Sequence, residues 1–189
     1  MITSFYSIDE LKEIGLKEIG VNVHISRKAS IYNPSQIIIG DNVRIDDFCV
    51  LSGNVKIGNY VHIAVYSAIF GGEAGVVFGD FSCISSRTAI YAKSDDYSGM
   101  SLTNPTVPDK YLGIISQRVT LGKHVLIGSG STVLPGVDIG EGTSVGAMSL
   151  VNHSLDEWGI YAGIPCRYIK ERSKHLLELE EELMNEKKR

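Results

Sequence analysis

Apolar, mostly aliphatic residues occupy nearly every sixth position of the chain between residues 19 and 151. The row comprises Ile19, Ile25, Ile31, Ile39, Ile45, Leu51, Ile57, Ile63, Ile69, Phe78, Ile84, Ile90, Leu121, Ile127, Val133, Ile139, Val145 and Val151. A small or β-branched side chain follows four places later in most repeats. A period of six fits neither an amphipathic helix nor an ordinary alternating strand.

This period predicts an all-β fold, a parallel β-helix built from hexapeptides. Three hexapeptides form one triangular coil of roughly eighteen residues, and each coil buries its aliphatic row on the next. Glycine follows the aliphatic residue at Gly20, Gly40, Gly58, Gly79, Gly122, Gly128, Gly140 and Gly146. We interpret these glycines as the residues at one recurring corner of the coil, where the backbone takes φ > 0.

The two ends of the chain differ from the repeats. Ser7 and Glu10 have the spacing of a capping box, which predicts a short helix closing the open end of the coil. After the repeats, a turn with glycine and proline leads to a predicted helix with Ile169, Leu176, Leu179 and Leu183 on one face. We therefore divide the chain into an N-terminal helical cap (1–18), a β-helix (19–160) and a C-terminal turn and helix (161–189).

Two insertions interrupt the regular spacing. Residues 39 and 57, like 121 and 139, are 18 apart, but 43 positions separate Phe78 from Leu121. The excess predicts a loop expelled from the coil over residues 96–119. A smaller insertion covers residues 71–75. Long loops on regular scaffolds are commonly functional, and both insertions leave near one corner, so we expect them to border one site.

Composition narrows the possible partners and compartments. The net charge is −4 and no basic block precedes the last few residues, so a nucleic acid partner is not expected. No apolar run is long enough to span a bilayer and no leader is visible, which predicts a soluble, cytoplasmic protein without membrane insertion. Three cysteines form no CxxC pair, and Cys49 falls on the small inward row, as a buried free thiol would.

Four segments late in the chain carry a family resemblance. They are Ile127-Gly128-Ser129, Leu134-Pro135-Gly136-Val137, Val145-Gly146-Ala147 and the closing turn Tyr161-Ala162-Gly163-Ile164-Pro165-Cys166-Arg167. Together with the repeats and the expelled loop, they resemble the hexapeptide-repeat acyltransferases, and among these the sugar acetyltransferases of the galactoside and maltose type. The resemblance implies a left-handed β-helix, a homotrimer, acetyl-CoA or another acyl-CoA as donor, and active sites in the clefts between subunits.

The same resemblance implies coenzyme A contacts along the last coils. Ser129 and Ala147 follow the glycines of successive coils, where small side chains let the pantetheine chain approach. Asn152 and His153 occupy positions that often hold Thr-Lys in relatives. Arg167 and Lys170 follow the closing turn and would pair with the phosphates of coenzyme A. The alternatives are repeat packing for Ser129 and Ala147, and a solvated face for the two cations.

One departure from the family bears on the mechanism. Galactoside-type relatives place a catalytic histidine five positions after the last aliphatic residue before the loop, where this chain has Asp95. With an ordinary pKa of about 3.9, an aspartate is a poor base for a sugar hydroxyl. A neutral amine is already nucleophilic, and an aspartate can orient it and take its proton. We therefore predict N-acylation of an amino sugar. The chain also resembles hexapeptide-repeat enzymes that N-acylate nucleotide-linked amino sugars and have acidic residues here, which implies a nucleotide-linked acceptor for surface polysaccharide, such as lipopolysaccharide O-antigen. Asp95 and Asp96 are alternatively a turn-forming pair.

His62 is the second candidate base. It precedes an inward aliphatic residue, so its side chain points outward, and its ordinary pKa lies near 6.5. With His62 as base the enzyme would be a sugar O-acetyltransferase, whereas the alternative is a surface histidine. Acceptor contacts are expected from polar residues of the loop and from the coil: Asp96, Tyr97, Asn104 and Arg87.

Two other classes of protein share such a fold. A zinc enzyme of the γ-carbonic anhydrase type needs closely paired histidines, whereas His62 and His124 are 62 positions apart. A non-catalytic trimeric scaffold would not need a long polar loop. We therefore expect an acyltransferase without a metal, in which the acceptor attacks the thioester directly and no covalent acyl-enzyme forms.

Overall fold

The structure, a computed structural model, describes residues 4–187. The first three residues of the predicted N-terminal cap and the last two of the predicted C-terminal segment lie outside the described residues. Two helices, α1 (Ile8–Glu13) and α2 (Leu176–Glu186), and two short 3₁₀ helices (Pro34–Gln36 and Asp109–Tyr111) accompany a succession of short strands.

Most of the strands contain two or three residues. They are β1 (Glu18–Ile19), β2 (His24–Ile25), β3 (Ser30–Tyr32), β4 (Ile37–Ile39), β5 (Arg44–Ile45), β6 (Val50–Ile57), β7 (His62–Ile63), β8 (Ala68–Phe78), β9 (Cys83–Ile84), β10 (Ala89–Tyr91), β11 (Lys93–Ser94), β12 (Ile115–Ser116), β13 (Val119–Leu121), β14 (Leu126–Ile127), β15 (Thr132–Val133), β16 (Asp138–Ile139), β17 (Ser144–Val145), β18 (Leu150–Val151), β19 (Gly159–Gly163) and β20 (Cys166–Glu171).

The strands stack in parallel as successive coils of a β-solenoid. Arg44 of β5 pairs with His62 of β7, and Leu126 of β14 pairs with Ser144 of β17, each one coil of eighteen residues further on. One face of the prism is an eight-stranded sheet. The other two faces form a ten-stranded sheet, because β6 and β8 continue around the corner between them. The predicted fold class is confirmed, and the architecture is consistent with a left-handed β-helix.

The aliphatic row fills the inside of the prism. Ile45, Ile63 and Ile84 are fully buried along one face, and Leu51 and Ile69 along another. The small row lies beside them, and Cys49 is fully buried there, as predicted. Burial raises the pKa of its thiol, which therefore stays protonated at neutral pH.

The structure corrects the reason given above for the repeated glycines. Gly40 and its equivalents do not have positive φ; the left-handed corner falls two residues later, at residues such as Asn42, Tyr60 and Phe81. Instead, a Cβ on Gly40 would lie 2.8 Å from the carbonyl oxygen of Gly58 in the next coil. The glycines are needed because the backbones of neighbouring coils approach too closely for a side chain.

The ends of the chain match the prediction in part. Helix α1 begins with the predicted capping box of Ser7 and Glu10, and Leu11 is buried against the core. The C-terminal prediction was wrong in one respect, because β19 and β20 form an antiparallel hairpin and Ile169 lies in β20 instead of in the helix. Within residues 4–187 no helix is long and apolar enough to cross a membrane.

Candidate functional site

The two insertions lie side by side at one corner of the prism. The loop leaves the coil at Lys93, three residues earlier than predicted, because β11 pairs with β12 as an antiparallel stem. The smaller insertion lies within β8, where Nε of Arg118 donates to the carbonyl oxygen of Ala74 at 3.2 Å. The loop and the coil therefore enclose space at this corner.

A cavity of about 730 Å³ lies between the loop and the ten-stranded sheet. Its walls are formed by Phe70, Tyr91, Lys93, Ser94, Asp95, Tyr97, Asn104, Pro105, Asp109, Leu112, Ile114, Thr132 and Leu134. Cavities of this size hold ligands as large as a cofactor, with apolar walls and a few polar groups that fix orientation. We define this space as the loop cavity.

Three of the residues predicted for catalysis and acceptor binding line the loop cavity. Asp95 follows the stem strand β11 and is half-buried. Tyr97 is 93% exposed, so its ring is available at the cavity mouth. The Oδ1 atom of Asn104 accepts hydrogen bonds from the backbone N–H and hydroxyl of Thr106, at 3.0 and 2.6 Å, and thereby fixes the local turn.

Two other predicted acceptor contacts do not line this cavity. The carboxylate of Asp96 accepts a hydrogen bond from the backbone N–H of Ser98 at 2.8 Å. Hydrogen bonds from the side chain and backbone of Ser98 lower the pKa of Asp96, which matches the turn-forming alternative for this residue. Arg87 is exposed at a different corner, with φ of 61°.

His62 lies on the eight-stranded sheet and is absent from the lining of the loop cavity. Its Nε2 atom is 2.8 Å from Oδ2 of Asp46, and Nε of Arg44 donates to Oδ1 of Asp46 at 2.7 Å. Burial works to raise the pKa of Asp46, but the hydrogen bonds from Arg44 and His62 outweigh it and the pKa is lowered. Asp46 is therefore an ionised partner that holds the imidazole on this face.

The predicted coenzyme A contacts Ser129 and Ala147 lie on successive coils. The backbone N–H of Met148 donates to the carbonyl oxygen of Ser129 at 2.8 Å, and a Cβ on Gly128 would lie 2.4 Å from the Ala147 nitrogen. Both predicted contacts are exposed. The edge of these coils is thus open to an extended chain, as pantetheine requires, although repeat packing accounts for the same small residues.

The remaining predicted cofactor contacts are exposed polar groups on the last coils. Nδ1 of His153 lies 3.0 Å from Oδ1 of Asn152. Arg167 pairs across the hairpin with Ala162, and Lys170 pairs with Ile160 on the same hairpin. The two cations therefore lie on one hairpin directly after the last coil.

Sequence reasoning missed the part of the cavity wall that the coil supplies. Phe70, Tyr91 and Thr132 lie on the outer side of the ten-stranded sheet beside the loop, and Leu134 directly follows β15. Their rings or side chains alternate with buried neighbours such as Ile69 and Val133. That alternation was visible in the sequence, and it would have identified them once the loop was assigned to this corner.

The histidines are not assembled for metal binding. Nε2 of His124 lies 2.7 Å from Oε2 of Glu180 on α2, far along the chain from the His62 network. Among residues 4–187 there is no group of three histidine, cysteine, aspartate or glutamate side chains positioned to hold a metal ion.

The stacked six-residue coils and the expelled loop place the chain in the hexapeptide-repeat class of proteins. The family described as bacterial transferase hexapeptide (six repeats) matches residues 36–71 and 118–153, and the chain belongs to the hexapeptide-repeat acyltransferases. It is 51% identical over 174 residues to the dTDP-4-amino-4,6-dideoxy-D-glucose acyltransferase of Escherichia coli, covering 90% of each chain. It is also 31% identical to a putative lipopolysaccharide biosynthesis O-acetyl transferase of Escherichia coli K12, covering 74% of each.

Solved structures extend this likeness to the whole chain. The N-acyltransferase AntD from Bacillus cereus, in complex with dTDP and 3-hydroxybutyryl-CoA, superposes with a TM-score of 0.98 at 54% identity and covers 100% of both chains. A serine variant of AntD, in complex with dTDP-4-amino-4,6-dideoxyglucose and coenzyme A, gives a TM-score of 0.96 at 54% identity, with 98% of this chain and 100% of AntD covered.

Proposed function

We propose that this protein transfers an acyl group from an acyl-CoA to the amino group of a dTDP-linked amino-dideoxy sugar. The observation that carries the proposal is the full-length likeness, at 54% identity, to an N-acyltransferase bound to dTDP and 3-hydroxybutyryl-CoA. This agrees with the N-acylation expected from the sequence. The chemistry of the loop cavity supports the same choice, because its lining contains a carboxylate at Asp95 and no histidine.

In the proposed reaction the amine attacks the donor thioester directly. The nitrogen forms a bond to the carbonyl carbon as the carbon–sulfur bond breaks, so the products are an amide and free coenzyme A. Asp95 orients the amine and accepts the proton that the nitrogen loses, and that proton is finally carried by the departing thiol. No residue of the protein is acylated, so initial rates should show sequential kinetics and not ping-pong kinetics.

The AntD variants point to a second residue of interest besides Asp95. AntD has been solved with an aspartate replaced and with a serine replaced, and these two residues are ten positions apart. In this chain Ser85 with Asp95 and Ser86 with Asp96 have that spacing. Since Asp95 lines the loop cavity and Asp96 is held in a turn, we infer that Ser85 and Asp95 are the counterparts.

We also propose that the enzyme works as a homotrimer in the cytoplasm. Tyr97, Met100 and Leu102 are 93%, 88% and 56% exposed on the loop, which leaves an apolar surface for a neighbouring subunit. Nucleotide sugars and acyl-CoA are made in the cytoplasm, and the likeness to a putative lipopolysaccharide enzyme supports a role in surface polysaccharide. Light scattering on the purified protein tests the oligomeric state.

The activity is tested with matched acceptors and donors. The purified protein is incubated with acetyl-CoA or 3-hydroxybutyryl-CoA and with dTDP-4-amino-4,6-dideoxyglucose or dTDP-glucose, and the product mass is measured. We expect an amide product from the amino sugar only. Acylation of the hydroxyl sugar alone would overturn the proposal in favour of O-acetylation with His62 as base.

A further inference from the structure

Three outward residues enter the loop cavity in a fixed order along the chain. Tyr91, Lys93 and Asp95 all line the cavity; buried Ala92 separates the first two, and Ser94, which also lines the cavity, separates the last two. Alternate residues of a fully extended chain lie roughly 6.6 Å apart, and here the chain bends at Ala92 between β10 and β11. The entrance to the loop therefore presents an aromatic ring, a cation and a carboxylate in succession, over at most roughly 13 Å.

The stem of the Lys93 side chain passes close to Gly72. A Cβ on Gly72 would lie 3.4 Å from Cβ and 3.8 Å from Cδ of Lys93, so the lysine stem runs across the surface left by the missing side chain. Gly72 also has φ of +52°, a conformation that favours glycine. The smaller insertion thus lies beside the stem of the lysine.

The ammonium group of Lys93 has no acidic partner within the described part of the chain. No ion pair joins it to a carboxylate, although Asp95 and Asp109 line the same cavity. Among residues 4–187, Lys93 is also the one cation that lines the cavity. An anionic ligand entering here meets two carboxylates and a single compensating positive charge.

The aromatic end of the series is a stacked pair. The rings of Phe70 and Tyr91 have centroids 5.1 Å apart and an interplanar angle of 15°. Both residues are partly buried and both face the cavity. The ring edges and outer faces of the pair form an apolar wall, against which a planar base or the apolar side of a sugar can pack.

We propose that Lys93 binds the diphosphate of the nucleotide-sugar acceptor. The inference rests on the proposed function and deepens it. A nucleotide sugar has a base, a diphosphate and an amino sugar in that order, and the cavity offers the Phe70–Tyr91 wall, Lys93 and Asp95 in the same order. Without Lys93, the diphosphate would face only the negative charges of Asp95 and Asp109.

Calorimetric binding of dTDP and of thymidine tests this role. The Lys93→Met variant keeps the stem of the side chain and removes the charge, so dTDP should bind roughly 10- to 100-fold more weakly, while thymidine binding stays unchanged. Lys93→Arg should restore most of the dTDP affinity. Raising the salt concentration should weaken dTDP binding to the wild type more than to Lys93→Met.

Lys110→Met is the matched control. Lys110 lies in the same loop with Nζ 4.8 Å from the ring centroid of Tyr111, outside the cavity lining, and its variant should bind dTDP like the wild type. In turnover, Lys93→Met should raise KM for the acceptor with kcat within a few fold. Circular dichroism and thermal unfolding confirm that each variant is folded.

The outcomes separate this inference from the proposed function. Unchanged dTDP affinity in Lys93→Met overturns the inference alone. An equal loss of dTDP and thymidine binding also overturns it, because the side chain would then act through packing. A wild-type protein that binds no dTDP overturns the proposed function and this inference together.

Discussion

Nε2 of His62 lies 2.8 Å from Oδ2 of Asp46, on a face of the prism that does not border the loop cavity. The same carboxylate accepts a hydrogen bond from Arg44, so the histidine belongs to a three-residue polar network on the eight-stranded sheet. Asp95 instead lies at the corner where the loop leaves the coil. Within one chain, the two candidate bases therefore occupy different environments.

We expect Asp95→Asn to lower kcat by about 100-fold or more, because general acid–base groups commonly contribute that much. His62→Ala should lower kcat by less than about 10-fold, since its partner network lies outside the loop cavity. Steady-state rates with saturating acyl-CoA and amino-sugar acceptor measure both. The opposite ranking would assign the base to His62 of this chain or of a neighbouring subunit.

The Asp95→Asn variant needs a binding control. Asn has nearly the shape of Asp, so Asp95→Asn should still bind dTDP and coenzyme A with affinities close to those of the wild type. Calorimetry with each ligand measures this. If Asp95→Asn fails to bind dTDP, the carboxylate is needed to form the acceptor site. The lower turnover rate would then not show that Asp95 transfers a proton.

Close packing between coils makes a second prediction, on two glycines. A Cβ on Gly40 would meet the backbone of Gly58, whereas Gly99 has φ of +82° and open space around it. Gly40→Ala should destabilise the protein by about 2–3 kcal/mol through overpacking. Gly99→Ala should cost only about 1 kcal/mol from its left-handed backbone. Urea unfolding measures both, and an equal cost would contradict the close-approach explanation.

How far the sequence predicts the fold depends on which physical constraint each residue obeys. The six-residue period of buried residues such as Ile45 and Ile63 is imposed by the narrow prism, so the sequence alone shows it. The role of Gly40 was misread because close approach of two backbones and positive φ both select glycine. The helix assigned to Ile169 was wrong, because antiparallel pairing of β20 with β19 overrides local helical spacing.

The parts of the candidate site that interrupt the six-residue spacing could be predicted from the sequence. The extra spacing before Leu121 located the loop, and Asp95 follows from the count along the repeat. Lys93 was not identified, because the sequence does not show that the loop starts there or that Gly72 lies beside its side chain. Contacts of this kind depend on the neighbouring coil, which is about twenty positions away in sequence.

A third prediction concerns acid sensitivity of the C-terminal helix. Oε1 of Glu180 lies 2.6 Å from Nζ of Lys123, and Oε2 lies 2.7 Å from Nε2 of His124. Burial works to raise the pKa of Glu180, but hydrogen bonds from Lys123 and His124 outweigh it and the pKa is lowered. Its stabilising contribution is therefore present above the unfolded pKa of about 4.3 and is lost as the pH falls through the folded pKa.

Glu180→Gln should accordingly lower the free energy of unfolding by about 1–2 kcal/mol at pH 7. The difference from the wild type should shrink below roughly pH 4, because the wild-type carboxylate is then protonated as well. Urea unfolding at a series of pH values measures the gap. Glu182→Gln, at an exposed position of the same helix, is the control and should have little effect. A gap that stays constant down to acidic pH would show that charge is not the cause.

The stacked corner at Phe81 makes the fourth prediction. Its ring stacks on Tyr60 at 4.6 Å and on His124 at 5.1 Å, while its backbone has φ of 58°. A bulky residue in this left-handed conformation costs about 1–2 kcal/mol, which the stacking offsets. Removing the ring loses the stacking in either variant, but only glycine also relieves the backbone.

Phe81→Gly should therefore be about 1 kcal/mol more stable than Phe81→Ala, although both are less stable than the wild type. This order is the reverse of that expected in an ordinary strand, where glycine weakens the structure relative to alanine. Ala89→Gly, in the extended strand β10, is the matched control and should be destabilising. Urea unfolding of the three variants measures the order. If Phe81→Ala is as stable as Phe81→Gly or more so, the corner carries no backbone strain and the stacked rings are not needed to offset it.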